Sequence, residues 1–484
     1  MTAGGAPVRV RFAPSPTGPL HLGNARIAIV NHLFKLKTKG ALVLRIEDTD
    51  PERFDPSSEK LIHDELKWLG ITPDEGPNIG GDFGPYRQGE RGDIYRKFAE
   101  ALLEEGFCFK CFCADEELEI ERKAAVARGL PPRYSGRCRN LTSEEMEVKG
   151  ETPFTIRFRV ETGPGNREIV VNDLVHKRVV FTTEAFGDFI ILRADGSAVY
   201  NFSSAIDDHL MGITHVIRGE DHLPNTPRQV LIYRALKATP PVFAHLPLLL
   251  SADGEKLKKR GGRDPNLEEL KETGYTRDAI LNYLASIGNP AFSAGKVAVD
   301  KEIADRFEIK RLGRSAVKVD VEKLKGINRR HLRGLSRDGL SDLISPFLKS
   351  DGFDFSESEL KEFSEAIREN ITLLEDARRY SPVFFKDLPE IESDAEKILA
   401  GKNTKNVLES FLATVEPIEN LTREAYGKAV KEAMEKAGIK GKDFFMPLRA
   451  ALTGITSGPE LEAVAAFIGI KRVRERICRA LKQY

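Results

Sequence analysis

The sequence predicts an α/β fold built on a parallel sheet, with an inserted α+β domain and an all-α C-terminal third. Three observations lead to this prediction. Strand and helix patterns alternate through residues 1–70, as they do at the start of a parallel α/β sheet. The alternation loosens between residues 86 and 200, and almost everything beyond residue 264 is amphipathic helix. At roughly 100 to 200 residues per domain, a chain of 484 residues holds about three domains.

The first elements follow from hydrophobic periodicity and turn residues. Val8–Phe12 reads as a strand, and 13–18 is a turn by its proline and glycine content. A helix is predicted over 20–37, and Gly40 would terminate it. The run 41–46 then reads as a buried strand that leads into an acidic segment. The apolar face of the helix comprises Leu22, Ala25, Ile29, Leu33 and Leu36.

The rest of the chain continues this division into sheet, insertion and helices. A helix should begin at Asp55 and Pro56, which fit an N-cap and a first helical residue. The inserted part contains a charged helix near 114–127 and short strands at 154–160 and 189–192. Strand and helix patterns return at 214–217 and 227–236, and amphipathic helices follow at 340–348, 357–374 and 426–437.

Composition limits the classes of partner and compartment. Lysine plus arginine number 74 and aspartate plus glutamate also 74, so no overall charge attracts nucleic acid or an anionic membrane. The opening residues lack the apolar core of a secretory signal, and no run reaches about 18 apolar residues. We therefore expect a soluble cytoplasmic protein with no membrane partner.

The first segment with chemical meaning is His21-Leu22-Gly23-Asn24, at the start of the first predicted helix. His21 and Asn24 lie on one face of its first turn, where free N–H groups and the helix dipole attract phosphate. Gly23 lacks a Cβ, so a base or ribose could lie against the backbone. The alternative is that His21 only caps the helix and Gly23 only eases packing.

A second segment, Lys256-Leu257-Lys258-Lys259-Arg260, places four cations between glycine-containing turns. A flexible cationic loop suits a polyphosphate, because ammonium groups can follow the charge as it moves towards a departing pyrophosphate. Taken alone, such a run is also typical of a solvated or nucleic-acid-contacting surface.

Four of the five cysteines lie between Cys108 and Cys138. Cys111, Cys113 and Cys138 supply three thiolates, and Tyr134 supplies a phenol, which together suffice for a tetrahedral Zn²⁺ site. Cys108 could replace Tyr134 as the fourth ligand. The alternative to a structural zinc site is a set of reduced core cysteines.

Several motifs together resemble the bacterial type of glutamyl-tRNA synthetase, a class I aminoacyl-tRNA synthetase. The resemblance covers nearly the whole chain. It rests on the two segments above and on the runs Arg11–Gly18, Arg45–Asp50, Gly84–Gln88, Asp207–Gly212 and Val216–His222.

The resemblance implies a Rossmann-like catalytic domain and a helical anticodon-binding domain. The corresponding division is a catalytic first half at 1–90, an acceptor-end-binding insertion at 91–200, a catalytic second half at 201–250, an ATP loop and stem-contact region at 251–335, and the anticodon-binding domain at 336–484. It implies ATP with Mg²⁺ as the cosubstrate. His21, Asn24, Lys256 and Lys259 would be catalytic, and ATP would be bound by Gly18, His21, Gly23, Asn24, Lys256, Leu257 and Lys259. Lys258 departs from the family, which has a serine there.

The same resemblance implies a pocket for L-glutamate. Arg11 and Arg218 suit it chemically, since a guanidinium can bind a carboxylate with two hydrogen bonds. Glu47 would hold the substrate ammonium group. The pocket would be lined by Arg11, Ala13, Ser15, Glu47, Tyr200 and Arg218. The alternatives are surface arginines, a core tyrosine and a salt-bridged glutamate.

The expected macromolecular partner is tRNA for glutamate. Local basic runs would contact it at 256–263, at 310–337 and at Lys471, Arg472, Arg474, Arg476 and Arg479; a solvated helix face is the alternative for the last two. Asn370 aligns with an arginine that excludes one anticodon base in discriminating members, so tRNA for glutamine is an alternative substrate. The family also implies a monomer and zinc in some members, a few of which have histidine where this chain has Asn140. The rival functions are a glutaminyl-tRNA synthetase and an inactive tRNA-binding paralogue.

Overall fold

The computed structural model describes residues 7–49, 56–161, 168–251, 253–255, 266–289, 292 and 297–484. The chain divides into two compact units, Met1–Glu269 with Leu281–Asp320, and Leu270–Ile280 with Val321–Tyr484. The elements up to the start of the helical part are β1 (Arg9–Phe12), α1 (Leu22–Thr38), β2 (Ala41–Leu44), α2 (Pro56–Trp68), α3 (Gly92–Glu104), β3 (Cys108–Cys111), α4 (Asp115–Ala127), α5 (Ser143–Lys149), β4 (Thr155–Phe158), β5 (Glu168–Asp173), β6 (Lys177–Thr182), β7 (Phe189–Leu192), α6 (Tyr200–Leu210), β8 (His215–Gly219), α7 (Thr226–Ala235), β9 (Val242–Leu246), β10 (Leu249–Leu250), α8 (Leu267–Glu272), α9 (Arg277–Ser286), α10 (Asp300–Arg306) and β11 (Val317–Lys318). The helices that follow are α11 (Val321–Gly334), α12 (Arg337–Ser350), α13 (Glu357–Ile367), α14 (Ala377–Phe385), α15 (Ser393–Leu399), α16 (Thr404–Val415), α17 (Arg423–Ala437), α18 (Lys442–Thr453) and α19 (Leu461–Gln483).

The first unit is organised around a parallel sheet, as predicted. Six strands of the described chain pair in the order β2-β1-β8-β9-β5-β6, and every pair is parallel except β5 with β6 at the edge. The strands β5 and β6 come from the segment assigned to the insertion, yet Asp173 of β5 pairs in register with Phe243 of β9. The segment assigned to the insertion thus contributes two strands to the same sheet as β1, β2, β8 and β9.

Helix α1 follows β1 and buries the predicted face, except that Leu36 at its end is 38% exposed. The residue that terminates this helix is Lys39, which adopts the left-handed conformation with φ of 52°. Gly40 takes part in this helix end, since its backbone N–H donates to the carbonyl oxygen of Lys35 at 3.0 Å. It has a further role, because a Cβ there would lie 2.4 Å from the carbonyl oxygen of Val8. Close approach of the chain to β1 therefore requires this glycine.

The insertion also contains an antiparallel sheet of β3, β4 and β7 within the described residues. Its apolar face shares a core with α3, α6 and α7, in which Phe158, Ile191 and Phe202 are buried. The helices α4 and α5, which are fully described, bury none of their side chains.

The second unit is helical, in agreement with the prediction for the C-terminal third, and α12 to α19 enclose one apolar core. Helix α13 ends at Ile367, whereas the apolar pattern had predicted a helix to residue 374. Ile371 and Leu374 lie in the segment after α13, and their side chains are buried there. They therefore extend the apolar pattern without extending the helix. None of the described helices combines the length and apolar character needed to span a lipid bilayer.

One correction concerns the basic run near the end of the chain. Arg476 is fully buried, so it is neither a tRNA contact nor part of a solvated helix face. Its guanidinium donates to the carbonyl oxygens of Val383 at 2.9 Å, Lys386 at 2.6 Å, Asp387 at 2.9 Å and Leu452 at 2.6 Å. Burial lowers the pKa of Arg476 to about 10. These carbonyls lie at the C-terminal ends of α14 and α18, where helices attract cations.

Candidate active site

A cleft of about 470 Å³ opens at the carboxyl ends of β1, β2, β8 and β9. Ligands of open parallel sheets bind at this edge, because the loops that follow the strands meet there. The cleft brings together these predicted residues: Arg11, Ala13, Ser15, His21, Gly23, Asn24, Glu47, Tyr200 and Arg218. Gly18 is described but does not line the cleft. Lys256, Leu257, Lys258, Lys259 and Arg260 lie outside the described residues.

His21 is the N-cap of α1 and lines the cleft at the same time. Its Nδ1 accepts a hydrogen bond from the backbone N–H of Asn24 at 3.3 Å. A Cβ on Gly23 would lie 2.8 Å from the imidazole ring, so this glycine is needed to seat the ring of His21. His21 therefore does cap the helix, as the alternative interpretation proposed. The capping bond also holds its ring at the N-terminal end of a long helix, where anions are attracted.

Arg11 belongs to a buried network of charges beneath the cleft. Its Nε donates to Asp208 at 3.1 Å, and Nη1 of Arg45 donates to the same carboxylate at 2.6 Å. Arg45 also donates from Nη2 to Glu47 at 3.0 Å. The network joins β1, the segment that follows β2, and α6, and it holds Arg11 in one orientation.

Burial and neighbouring charges act in opposite directions on the two carboxyls of this network. Burial by itself would raise the pKa of Asp208, but the charges of Arg11 and Arg45 outweigh it and lower that pKa. Burial raises the pKa of Glu47, and Arg45 and Arg11 only partly oppose this effect. Asp208 is therefore the carboxylate that carries the negative charge opposite Arg11 and Arg45. Asp208 and Arg45 belong to two separate motifs of the sequence, and no local pattern indicates that they pair.

Arg218 lines the cleft from β8, and burial lowers its pKa. Its Nη2 donates to Thr226 Oγ1 at 2.9 Å, and its Nε donates to His245 Nε2 at 3.1 Å. The buried Nη1 has no hydrogen-bond partner among the described residues. Two nitrogens of this guanidinium are thus used by the protein, and the third can donate to a bound anion.

Tyr200 packs against His222, which also lines the cleft. The tyrosine hydroxyl and His222 Nδ1 are 2.9 Å apart, and the ring centroids are 5.4 Å apart. Burial and the positive charge of Arg218 lower the pKa of His222 to about 4, so the ring is neutral near pH 7. His222 is the last residue of the motif 216–222, and its residue type alone does not indicate its place in the cleft.

The geometry suits a ligand that carries both an amino acid and a phosphate group. Arg11 and Arg218 can receive a carboxylate, and the charge of Arg11 further lowers the pKa of Arg218. Glu47 offers a carboxylate to a cationic group. The N-terminus of α1, with His21 and Asn24, can receive a phosphate.

A separate cluster in the insertion contains three of the cysteines. The Sγ atoms of Cys111, Cys113 and Cys138 all lie within 4.8 Å of one another. The Tyr134 hydroxyl is 3.5 Å from Cys111 Sγ and 3.6 Å from Cys113 Sγ. Within the described residues Cys108 is not in this group, because it packs into the core with Phe158 and Ile191. Residues three apart on a strand point to opposite faces, which explains why Cys108 and Cys111 separate.

The chain is similar to known families and to solved structures. Residues 7–326 match the family described as "tRNA synthetases class I (E and Q), catalytic domain", and residues 340–481 match "Anticodon binding domain". A glutamate–tRNA ligase of Carboxydothermus hydrogenoformans is 44% identical over 479 residues, which are 97% of this chain and 99% of that protein. One of Sulfurihydrogenibium sp. is 43% identical, over 98% of this chain and 99% of that protein. The crystal structure of a glutamate tRNA ligase from Elizabethkingia meningosepticum, in complex with its amino acid, has a TM-score of 0.89 at 31% identity, covering 99% of this chain and all of that one.

Proposed function

The chain belongs to the class I tRNA synthetases of the glutamate and glutamine group, and from this premise we propose that it ligates L-glutamate to tRNA with ATP. The observation that carries the proposal is the cleft in which Arg11, Arg218 and Glu47 lie beside the N-terminus of α1. The matches bear out the resemblance seen in the motifs, and the relatives that span the chain are named for glutamate.

The first step is attack of the glutamate α-carboxylate on the α-phosphorus of ATP, with loss of pyrophosphate. The carboxylate is already ionised near pH 7, so no general base is needed. The protein instead orients the reactants and stabilises the charge that develops on phosphate. In the second step a terminal ribose hydroxyl of tRNA attacks the carbonyl of the adenylate, and AMP leaves.

Glutamate would be selected through its side-chain carboxylate. We place this group against Arg218, whose Nη1 is left without a protein partner in the described chain, and against Arg11. Glutamine would offer a neutral amide there and would leave the buried cations uncompensated. Glu47 would receive the substrate ammonium, and Ala13, Ser15 and Tyr200 would line the rest of the pocket.

ATP would lie across the start of α1. His21, Gly23 and Asn24 face the cleft there, and Gly18 would contribute from the preceding turn. We propose from the resemblance that Lys256, Leu257 and Lys259 bind ATP and that Lys258, in place of the serine usual in the family, alters this loop. Mg²⁺ would accompany the phosphates, because this hard cation binds oxygen ligands.

The direct test is glutamate-dependent exchange of pyrophosphate into ATP by the pure protein with Mg²⁺ and total tRNA. We expect exchange with glutamate and little with glutamine. A complete lack of exchange would refute the enzymatic proposal. Faster exchange with glutamine than with glutamate would instead refute the assignment of the amino acid.

The choice of tRNA is a second proposal. Asn370, in the exposed turn after α13, aligns with the arginine of discriminating members, so we propose that tRNA for glutamine is also charged with glutamate. Aminoacylation of the two purified tRNAs decides this, with an Asn370→Arg variant as the matched comparison. We expect the variant to lose the glutamine tRNA only. Failure of the unaltered enzyme to charge that tRNA would refute the proposal.

We propose that the cysteine cluster holds one structural Zn²⁺. With Zn–S bonds of about 2.3 Å, a tetrahedral site separates its sulfurs by about 3.8 Å. Cys113 Sγ and Cys138 Sγ are 3.7 Å apart, which fits such a site. Metal analysis without chelators should find about one zinc per chain, retained in Cys478→Ser and lost in a Cys111→Ser, Cys113→Ser variant. Equal zinc in all three proteins would refute the site.

The domain division given above, a cytoplasmic location and a monomeric state remain proposals that the resemblance supports. ATP and tRNA, the proposed substrates, are both present in the cytoplasm. Light scattering coupled to size exclusion tests the monomer, and a mass of about twice 53.9 kDa would refute it.

A further inference from the structure

A chain of three buried side chains ends at Arg218. His245 Nδ1 lies 2.7 Å from Asp173 Oδ2, and both side chains are inaccessible to solvent. His245 Nε2 lies 3.1 Å from Nε of Arg218. The three residues come from neighbouring strands, and Arg218 and His245 are register partners in the pair of β8 and β9.

The chemistry of arginine assigns the protons along this chain. A guanidinium can only donate, so Nε2 of His245 must be the acceptor from Arg218. The neutral imidazole then carries its proton on Nδ1 and donates it to Asp173. Asp173 also accepts from the backbone N–H of His245 at 3.0 Å, and its second oxygen accepts from Val175 and His176 at 2.8 Å each. Asp173 is therefore anchored independently of the histidine.

Burial lowers the pKa of His245 to about 4, with Asp173 opposing and Arg218 adding to the effect. The acceptor state of Nε2 is thus the one present near neutral pH. His176, whose Nε2 lies 3.3 Å from Glu220 Oε2, also adds to the lowering of the pKa of His245. His222 is a further titratable neighbour, because His245 contributes to the lowering of its pKa.

We propose that Asp173 and His245 are positioning residues that fix the guanidinium of Arg218 so that Nη1 donates to the substrate carboxylate. The inference rests on the proposed glutamate activity and extends it. Asp173 sets the proton position of His245, and His245 holds Nε of Arg218. Thr226 holds Nη2 at 2.9 Å, which leaves Nη1 as the nitrogen for the ligand. The insertion, through β5, therefore contributes to amino acid recognition.

The test compares two substitutions of His245 that separate the contact of Nδ1 with Asp173 from the contacts of Nε2, which lies 3.1 Å from both Arg218 Nε and Thr226 Oγ1. In His245→Asn the amide reaches the position of Nδ1 and keeps a partner for Asp173, but it leaves Arg218 Nε without an acceptor. In His245→Gln the amide oxygen reaches the position of Nε2 and restores that acceptor. The matched control is His215→Asn, a buried histidine in β8 that does not line the cleft.

Pyrophosphate exchange gives KM for glutamate, KM for ATP and kcat for each variant. Because a hydrogen bond to a charged group is lost, we expect about a tenfold or larger rise in glutamate KM for His245→Asn. KM for ATP should stay unchanged, and His245→Gln should recover most of the loss. The ratio of kcat/KM for glutamate over glutamine should fall in His245→Asn, which a merely structural role would not cause.

Two outcomes overturn the inference while the proposed function stands. One is an unchanged glutamate KM in folded His245→Asn, and the other is an equal rise in His215→Asn. Folding is checked by the fluorescence of the single tryptophan, Trp68. If His245→Asn does not fold, His245→Gln decides, since a loss of glutamate affinity as large as that of Arg218→Lys would refute the role of Nε2. An unaltered enzyme without glutamate-dependent exchange overturns the proposed function and the inference together.

Discussion

Replacing Asp208 with asparagine removes one negative charge from a buried group of arginines without changing the shape of the side chain. The carboxylate accepts from Arg11 Nε at 3.1 Å and from Arg45 Nη1 at 2.6 Å, and its side chain is 4% exposed. After the substitution, Arg11, Arg45 and Arg218 would share fewer counter-charges in a site from which water is largely excluded. We expect a less stable first unit and a weaker grip on glutamate.

The size of the effect follows from the two bonds. Removing one partner of a buried ion pair costs about 3–5 kcal/mol, because the remaining charge is left uncompensated. Asparagine still accepts a hydrogen bond, and Glu47 lies 3.0 Å from Arg45, so we expect about 3 kcal/mol, at the lower end of that range. This is a large share of the roughly 5–15 kcal/mol by which a domain is stable.

The sign of the pH dependence follows from the lowered pKa of Asp208. A carboxyl whose pKa is lower in the folded state stabilises the fold above its unfolded pKa of about 3.9. That stabilisation is lost as the pH falls through the lower, folded value. The difference between the unaltered protein and Asp208→Asn should therefore be full at pH 7 and shrink below about pH 3.9.

Urea unfolding followed by Trp68 fluorescence measures this effect, since the single tryptophan lies in α2 of the first unit. The control is Asp82→Asn, which changes an exposed aspartate of the same unit. Exchange kinetics should show a higher glutamate KM for Asp208→Asn with little change in ATP KM. Equal unfolding midpoints for the two variants at pH 7 would refute the reasoning, because the arginines would then be compensated without Asp208.

Two further predictions concern the start of α1 and the helical unit. Gly23→Ala should raise KM for ATP roughly tenfold, or about 1.4 kcal/mol, because its Cβ displaces the ring of His21; Gly427→Ala, where a Cβ meets nothing within 4 Å, should leave it unchanged. An unchanged KM for ATP in the first variant would contradict this role of the glycine. Arg476→Met leaves carbonyls at the ends of α14 and α18 without donors, and should cost about 3 kcal/mol. Urea unfolding followed by far-UV circular dichroism measures it, and an unshifted helical transition would show that these bonds contribute nothing net.

The elements that the sequence predicted well are those whose pattern is local. The strand at 9–12, the helix after it and the helices of the C-terminal third follow from periodicity within about ten to twenty residues. Local pattern failed where a tertiary contact replaced it. Buried Ile371 and Leu374 continue an apolar spacing beyond the end of α13. The left-handed residue at the end of α1 is Lys39, and position 40 requires glycine because Val8 lies so close to it.

The candidate site divides in the same way. By itself the sequence determined the kinds of chemistry and the family, because cap, glycine, arginine and cysteine motifs are short and carry their function in residue type and spacing. It also indicated most of the residues that line the cleft.

Only the tertiary structure decided which charges meet. Asp208 lies 197 residues from Arg11 along the chain, and Asp173 lies 72 residues from His245. Arg476, which belongs to a basic run in sequence, is buried against helix ends about 90 and 24 residues away. Such pairings depend on strand order and on the helix ends that come together, and no local pattern encodes either, since both result from packing the whole core.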